Sequence, residues 1–356
     1  MTGAPAQMRA WFGCWLHERW RAELAMLLGS GRWRGLCNRS ELLTPDPAGG
    51  SGFACRWEDS SDLTVGRVFP SIAARLLTHA LPAVSLRWAG VPTTPDPAVS
   101  VLVPAGGDPA RRPLLELVLA ALAAEAAATP GGAEVILAEQ LRPGEPAADG
   151  LSGVRQVAVR DGGPFNKSRL LNRAAAIARA PALVIHDADY LPAPGYLARC
   201  GVALARSAGV RPGRLIFYVD RLTTEHWVAG LPPDSITCPS GHLETTGAEI
   251  EKVVQNNPTP LAIRRSAYFS IGGHDEAFEG WGGEDAEFLS RLRILGVDEY
   301  GTEPLIHLWH PPAPKKVSGD RNESLHAARS AESPAARIVR LRGGWDPVTL
   351  ESGVRI

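Results

Sequence analysis

The sequence predicts an α/β protein: a doubly wound, largely parallel sheet with a mainly helical N-terminal extension. Three observations carry this. Short continuous apolar runs such as "VSVLVP" (99–104) and "EVILAE" (134–139) are of the kind buried on both faces of a parallel sheet. Helical patterns stand between successive runs, as crossover connections require. Two of the runs end in carboxylates, at Glu139 and at Asp187 and Asp189. In open α/β sheets ligands sit at the carboxyl ends of the strands.

Taken in order, residues 1–95 hold most of the tryptophan and show helical spacing at Val68, Ile72, Leu76 and Leu77. "GVPTTPDP" (90–97) reads as a Pro-rich linker. A domain over 96–325 then alternates. The strand at 99–104 is followed by helical "RPLLELVLAALAAEAAA", the strand at 134–139, "VRQVAVR" (154–160) and a helix over 166–180. "ALVIHDAD" (182–189) is expected as a buried strand running out into two aspartates. A helix near 195–207, the strand "RLIFYVD" (214–220), a helix opening at "GWGGEDAEF" and the apolar start of "PLIHLWHPP" (304–312) complete the regular part. The chain after Lys315 reads as a polar tail, with 326–356 outside the domain.

The 356 residues carry a formal net charge of −1, which gives no electrostatic case for nucleic acid or an anionic membrane. The longest apolar run (114–128) contains Glu116 and Glu125 and is too short to span a bilayer. No secretory signal is visible, so the expected location is the cytoplasm, without an integral membrane segment. Cys14, Cys37, Cys55, Cys200 and Cys238 are scattered, with no CxxC pair, and read as ordinary thiols. Glycan-acceptor triplets at Asn38, Asn166 and Asn322 matter only in a secretory route.

The stretches that bear chemistry each have a plainer reading beside the functional one. Asp187-Ala188-Asp189 offers two hard oxygen donors that point the same way if the strand continues; it is also a good turn opener before Pro192. His307 and His310 in "HLWH" are either metal ligands or hydrogen-bonded structural residues. Imidazole suits transition metals, so a site of one carboxylate with one or two histidines favours Mn²⁺, with Mg²⁺ as the alternative. "FNKSRLL" starts a helix whose cations, Lys167 and Arg169, can lie on the surface or help hold a phosphate or base. Glu284 and Asp285 suit the positive end of a helix whether or not they do chemistry. No GxSxG elbow, P-loop or GxGxxG competes.

In their order, the first apolar strand, "ILAEQ", "FNKSRLLN", "HDADYLP", "GWGGEDAEF" and "HLWH" resemble glycosyltransferases of the GT-A fold. The similarity is to the β-1,4-galactosyltransferase family and related bacterial family 2 and chondroitin-polymerase-like enzymes, over about residues 98–325. The resemblance implies a Rossmann-like nucleotide-sugar fold and a UDP-sugar donor. It implies nucleotide contacts from Phe165 and Lys167, metal ligation by Asp189 with His310 and His307, and a closing Trp281. It places Glu284 on donor hydroxyls and makes Asp285 the catalytic base. Glu139, Asp187 and Gly283 fall on matching positions of the donor and acceptor site. Ala286 stands where the galactosyltransferases have a further Asp, and "NPTPLA" where they have Gly-Gly. The acceptor therefore stays open among a sugar, a peptide, a lipid-linked species and a small molecule.

The expected reaction is inverting transfer of a hexose or N-acetylhexosamine to an acceptor hydroxyl, without a protein nucleophile. The rival readings are a sugar-phosphate nucleotidyltransferase, for which "PAGGDPARRP" is a poor signature, and a non-catalytic nucleotide-sugar-binding protein.

Overall fold

The computed structural model describes residues 4–29, 31–106, 108–147, 152–231, 239–280, 282–311 and 319–343. Its centre is a seven-stranded sheet in the order Val297–Asp298, Gly209–Val210, Leu261–Arg264, Ala182–Ile185, Val99–Gly106, Ala133–Leu141, Arg155–Arg160. The four strands from Ala182 to Arg160 in this order are parallel, as the apolar runs predict. Leu261–Arg264 lies antiparallel to both neighbours, so the sheet is mixed rather than purely parallel.

Side chains of the central strands divide by period two between two cores. Val101, Val103, Val135 and Leu137 join one, packed with the helix Arg112–Ala128. Leu102, Ile136, Ala138 and Leu183 join the other, packed with the helices Lys167–Ile177 and Glu284–Leu292. Burial on both faces explains why these strands read as unbroken apolar runs. The α/β expectation is borne out.

A second sheet of five strands has the order Ser61–Asp62, Ile250–Gln255, Gly213–Val219, Glu303–His307, Tyr190–Leu191. One expectation is corrected here. "ALVIHDAD" is not one strand: the first sheet's strand ends at Ile185 and the second sheet takes up the chain at Tyr190. A turn lies between, with Tyr190 N–H donating to the Asp187 carbonyl at 3.3 Å. The two aspartates sit in the crossing between sheets and serve different partners.

The N-terminal region is helical over Ala4–Cys14, Trp20–Leu27, Thr64–Val68 and Pro70–Ala80, and Ile72, Leu76 and Leu77 are buried as their spacing predicts. It also contains strands that tie it to later chain. Ala83–Arg87 pairs with Ser240–Glu244, and Ser61–Asp62 with Ile250–Gln255. The polar stretch after Lys315 folds further than its composition suggests, into helices Gly319–Ala331 and Pro334–Gly343. Its anchors are polar: Arg337 reaches Glu287 at 3.0 Å, and Asn322 donates to the Glu279 carbonyl at 2.9 Å. A hydropathy pattern cannot register such contacts. Asn38, Asn166 and Asn322 are all buried and unavailable to a glycan in the fold. Of the cysteines, Cys14, Cys37, Cys55 and Cys200 are free thiols, and Cys238 lies outside the described residues.

Candidate active site

The helix Glu284–Leu292 begins at Gly283, whose φ of +91° an L side chain rarely adopts. A Cβ there would also stand 2.9 Å from Phe278, so Gly283 serves the backbone turn that sets out Glu284 and Asp285. Successive residues on a helix diverge by about 100°. The two carboxylates therefore face different directions from one cap.

The segment carrying Phe165 and Lys167 is fixed opposite this cap. Asn166 accepts from Arg169 N–H as the N-cap of its helix, and its own amide donates to the Glu276 carbonyl at 2.8 Å. Gln140, at the end of a central strand, accepts from Asn166 N–H at 2.8 Å. The Phe165 carbonyl accepts from Gly280 N–H at 2.6 Å, which binds this segment to the loop before the acidic pair. The Phe165 ring covers the strand end at Gly106, where a Cβ would come within 2.8 Å of it. Here glycine permits a close approach.

Lys167 is the electrostatic hub. Its Nζ lies 2.7 Å from Asp187 Oδ1 and 2.9 Å from Asp285 Oδ2, with only 11% of its side chain exposed. Burial alone would lower its pKa, but Asp187, Asp285 and Glu284 together hold it well above the ordinary lysine value. Asp187 also accepts from the Thr259 hydroxyl at 3.1 Å. For Asp285, burial raises the carboxyl pKa, Lys167 opposes that, and Asp187 reinforces it; the net direction is upward. Glu284 is pushed up to about 7, by burial first and then by the neighbouring Asp285 charge. Asp285 Oδ1 and Glu284 Oε2 are buried without a hydrogen-bond partner. Unsatisfied buried carboxylate oxygens are costly, and they mark a place where a further group belongs.

Asp189 points away from Lys167 towards the two histidines. Its Oδ2 stands 3.1 Å from His310 Nε2 and 3.9 Å from His307 Nε2. One donor atom from each of the three residues lies within 4.8 Å of the others. Leu308 N–H donates to the Asp189 carbonyl at 2.8 Å, so the backbones are tied as well. Tyr218 stacks on His307 with ring centroids 4.0 Å apart, and Tyr190 meets it edge-on. Burial favours the neutral His307 imidazole, the form that ligates metals, and leaves its Nδ1 without a partner. His310 Nδ1 is 2.8 Å from both the Pro311 carbonyl and Arg111 Nη2. The two contacts exclude each other: Arg111 can only donate and needs Nδ1 as an acceptor, whereas donation from Nδ1–H to Pro311, with Arg111 turned away, would free Nε2 as a ligand, the outer-shell arrangement usual for metal-bound histidine. One carboxylate and two imidazoles, with an orphaned ring nitrogen, fit a divalent transition metal.

The structure thus brings Lys167, Asp187, Glu284 and Asp285 into one group, and Asp189, His307 and His310 into another, joined by the short turn between the aspartates. Glu139 is buried at its strand end with Arg112 at 3.9 Å. Trp281 lies outside the described residues. Sequence reasoning missed Thr259, Tyr218 and Arg111. Thr259 lies in "NPTPLA" and Tyr218 near a strand end, positions that hint at a site rim; Arg111 had no signal beyond a turn.

A family model described as the N-terminal domain of galactosyltransferase matches residues 260–308. That span includes the acidic pair and His307, and stops short of His310. Comparison with curated proteins gives no match. Among solved structures, the catalytic domain of Drosophila β-1,4-galactosyltransferase 7 with xylobiose is 16% identical over 59% of this chain and 64% of that chain, at a TM-score of 0.32. A mutant of that enzyme with manganese, UDP-Gal and xylobiose gives the same identity and coverage at a TM-score of 0.31. This chain therefore spans less than two thirds of either structure, and the bound molecules belong to those proteins. Over residues 260–308, the chain is galactosyltransferase-like.

Proposed function

We propose that the chain is an inverting GT-A glycosyltransferase that moves a hexose or N-acetylhexosamine from a UDP-sugar to an acceptor hydroxyl. The observation that carries this reading is the pairing of Asp285, a partly buried carboxylate with one buried, unpartnered oxygen, with the nearby Asp189–His307–His310 cluster. The galactosyltransferase match over 260–308 agrees with it.

In this reading Asp285 takes the proton of the acceptor hydroxyl as the oxygen attacks the anomeric carbon. The new C–O bond forms on the face opposite the breaking bond to UDP, which leaves with that bond's electron pair. Burial raises the basicity of Asp285, and a positioned base contributes about 10²–10⁴ in rate. Glu284, on the adjacent helical position, faces the donor hydroxyls. Lys167 keeps Asp285 oriented and offsets its charge until the donor arrives. Phe165 supplies a flat apolar surface for the base. Asp189, His307 and His310 would hold Mn²⁺, which supplies charge neutralisation at a departing diphosphate.

Incubation with a panel of UDP- and GDP-sugars and Mn²⁺ tests the proposal. Release of UDP, with a product of inverted anomeric configuration once an acceptor is found, is the expected result. Formation of pyrophosphate from a sugar phosphate and a nucleoside triphosphate would replace it with a nucleotidyltransferase.

A further inference from the structure

The N-terminal helices present an inverted amphipathic surface. Small residues, Cys14, Ala22 and Ala25, face the core, while the large apolar side chains face out. Leu27 is 81% exposed, Trp20 56% and Phe12 55%, with Trp11, Trp15 and Leu24 also exposed. Apart from the adjacent Trp11 and Phe12 they recur every three to five residues, which sets them along one side of the consecutive helical segments Ala4–Cys14, Trp15–Arg19 and Trp20–Leu27. From Phe12 to Leu27 the stripe is on the order of 24 Å long. Scattered exposed apolar residues need no explanation, but a contiguous stripe of this composition marks a binding surface.

Charge selects the occupant. The stripe's own helical segments, residues 4–27, hold Arg9, Arg19 and Arg21 against Glu18 and Glu23, a net +1, whereas the whole chain is at −1. Arg9 and Arg19 are exposed on the same helices. An anionic surface would attract these two guanidinium groups. No helix among the described residues is long and apolar enough to cross a membrane. Tryptophans interleaved with arginines, on a helix too charged to insert, are the composition of an interfacial anchor.

We infer that the Phe12–Leu27 stripe docks the protein on an anionic lipid surface, with the aromatic side chains entering the headgroup boundary and Arg9 and Arg19 facing lipid phosphates. The inference is independent of the proposed transfer reaction.

Co-sedimentation of the full chain with vesicles tests it. The parent should pellet at low salt with vesicles of equal parts phosphatidylglycerol and phosphatidylcholine, and should be released by high salt or by vesicles of phosphatidylcholine alone. The variant Phe12→Gln/Trp20→Gln/Leu27→Gln should partition at least tenfold less, with an unchanged thermal transition. Arg9→Gln/Arg19→Gln should lose about fivefold per charge, on anionic vesicles only. If the apolar variant fails to fold, the arginine variant and the salt series decide. Failure of the parent to pellet at low salt, or equal binding by a folded apolar variant, would overturn the inference. A concentration-dependent dimer abolished by the apolar variant, without vesicle binding, would assign the stripe to a second copy instead.

Discussion

The ammonium of Lys167 bridges Asp187 and Asp285, residues from two separate segments, at 2.7 and 2.9 Å. This cation lets three carboxylates, with Glu284, crowd into one partly buried cleft. Without it, Asp285 would face the Asp187 carboxylate across low-dielectric space with no opposing charge, which pushes the Asp285 pKa further up.

Removing the cation should therefore cost stability and shift the pH profile together. Lys167→Ala leaves two uncompensated carboxylates, and breaking a buried pair in this way costs about 3–5 kcal/mol. Asp285 should then titrate higher still, so the acid limb of kcat/KM moves to higher pH. Lys167→Arg keeps both pairs and should restore most of the stability. Thermal melts and a rate–pH series on the two variants check this.

Glu284 makes stability depend on pH in an unusual sense. Its folded pKa, about 7, lies above the ordinary value of 4.5, so the native state binds more protons between those limits. The contribution is fully present below pH 4.5 and is lost as pH rises through 7. Glu284→Gln, neutral throughout, should be more stable than the parent at pH 8 and no more stable at pH 4. Melting both proteins without metal or nucleotide at the two pH values measures the difference.

Asp189→Asn and His310→Ala should each weaken Mn²⁺-dependent UDP binding by at least about tenfold, since each removes a ligand and even outer-shell partners matter by that much. Calorimetric titration of UDP with and without Mn²⁺ separates this from loss of fold. Unchanged Mn²⁺ dependence in both variants would remove the metal assignment.

The C-terminal helix should support the acidic pair from behind. Arg337 and Arg291 both contact Glu287, at 3.0 and 2.7 Å, and all three side chains are nearly inaccessible. Arg337→Ala should destabilise the protein by about 3 kcal/mol. It should loosen Pro334–Gly343 first, seen as faster amide exchange there than in the central sheet.

The parts of this architecture legible in the sequence are those set by local chemistry. Val99–Gly106 and Ala133–Leu141 read correctly because both faces of each strand are buried. The Glu284 helix read correctly because glycines and acids mark its start. The end of the strand at Ile185 was hidden, since the apolar run passes into His186 and the aspartates without a breaker. The tail helices were hidden because Arg337 and Asn322 anchor them. The site's members were named from a resemblance, but their partition was not legible. Asp187 joins Lys167 in a group completed by Asp285, while Asp189 joins His310; both Asp285 and His310 come from chain more than a hundred residues beyond their partners.

The most direct measurement is the Asp285→Asn variant, assayed for sugar transfer and, in parallel, for UDP and Mn²⁺ binding. Transfer should fall by about 10²–10⁴ with nucleotide and metal binding nearly intact. Transfer at the parental rate, or loss of nucleotide binding along with activity, would contradict the role of Asp285 as the base.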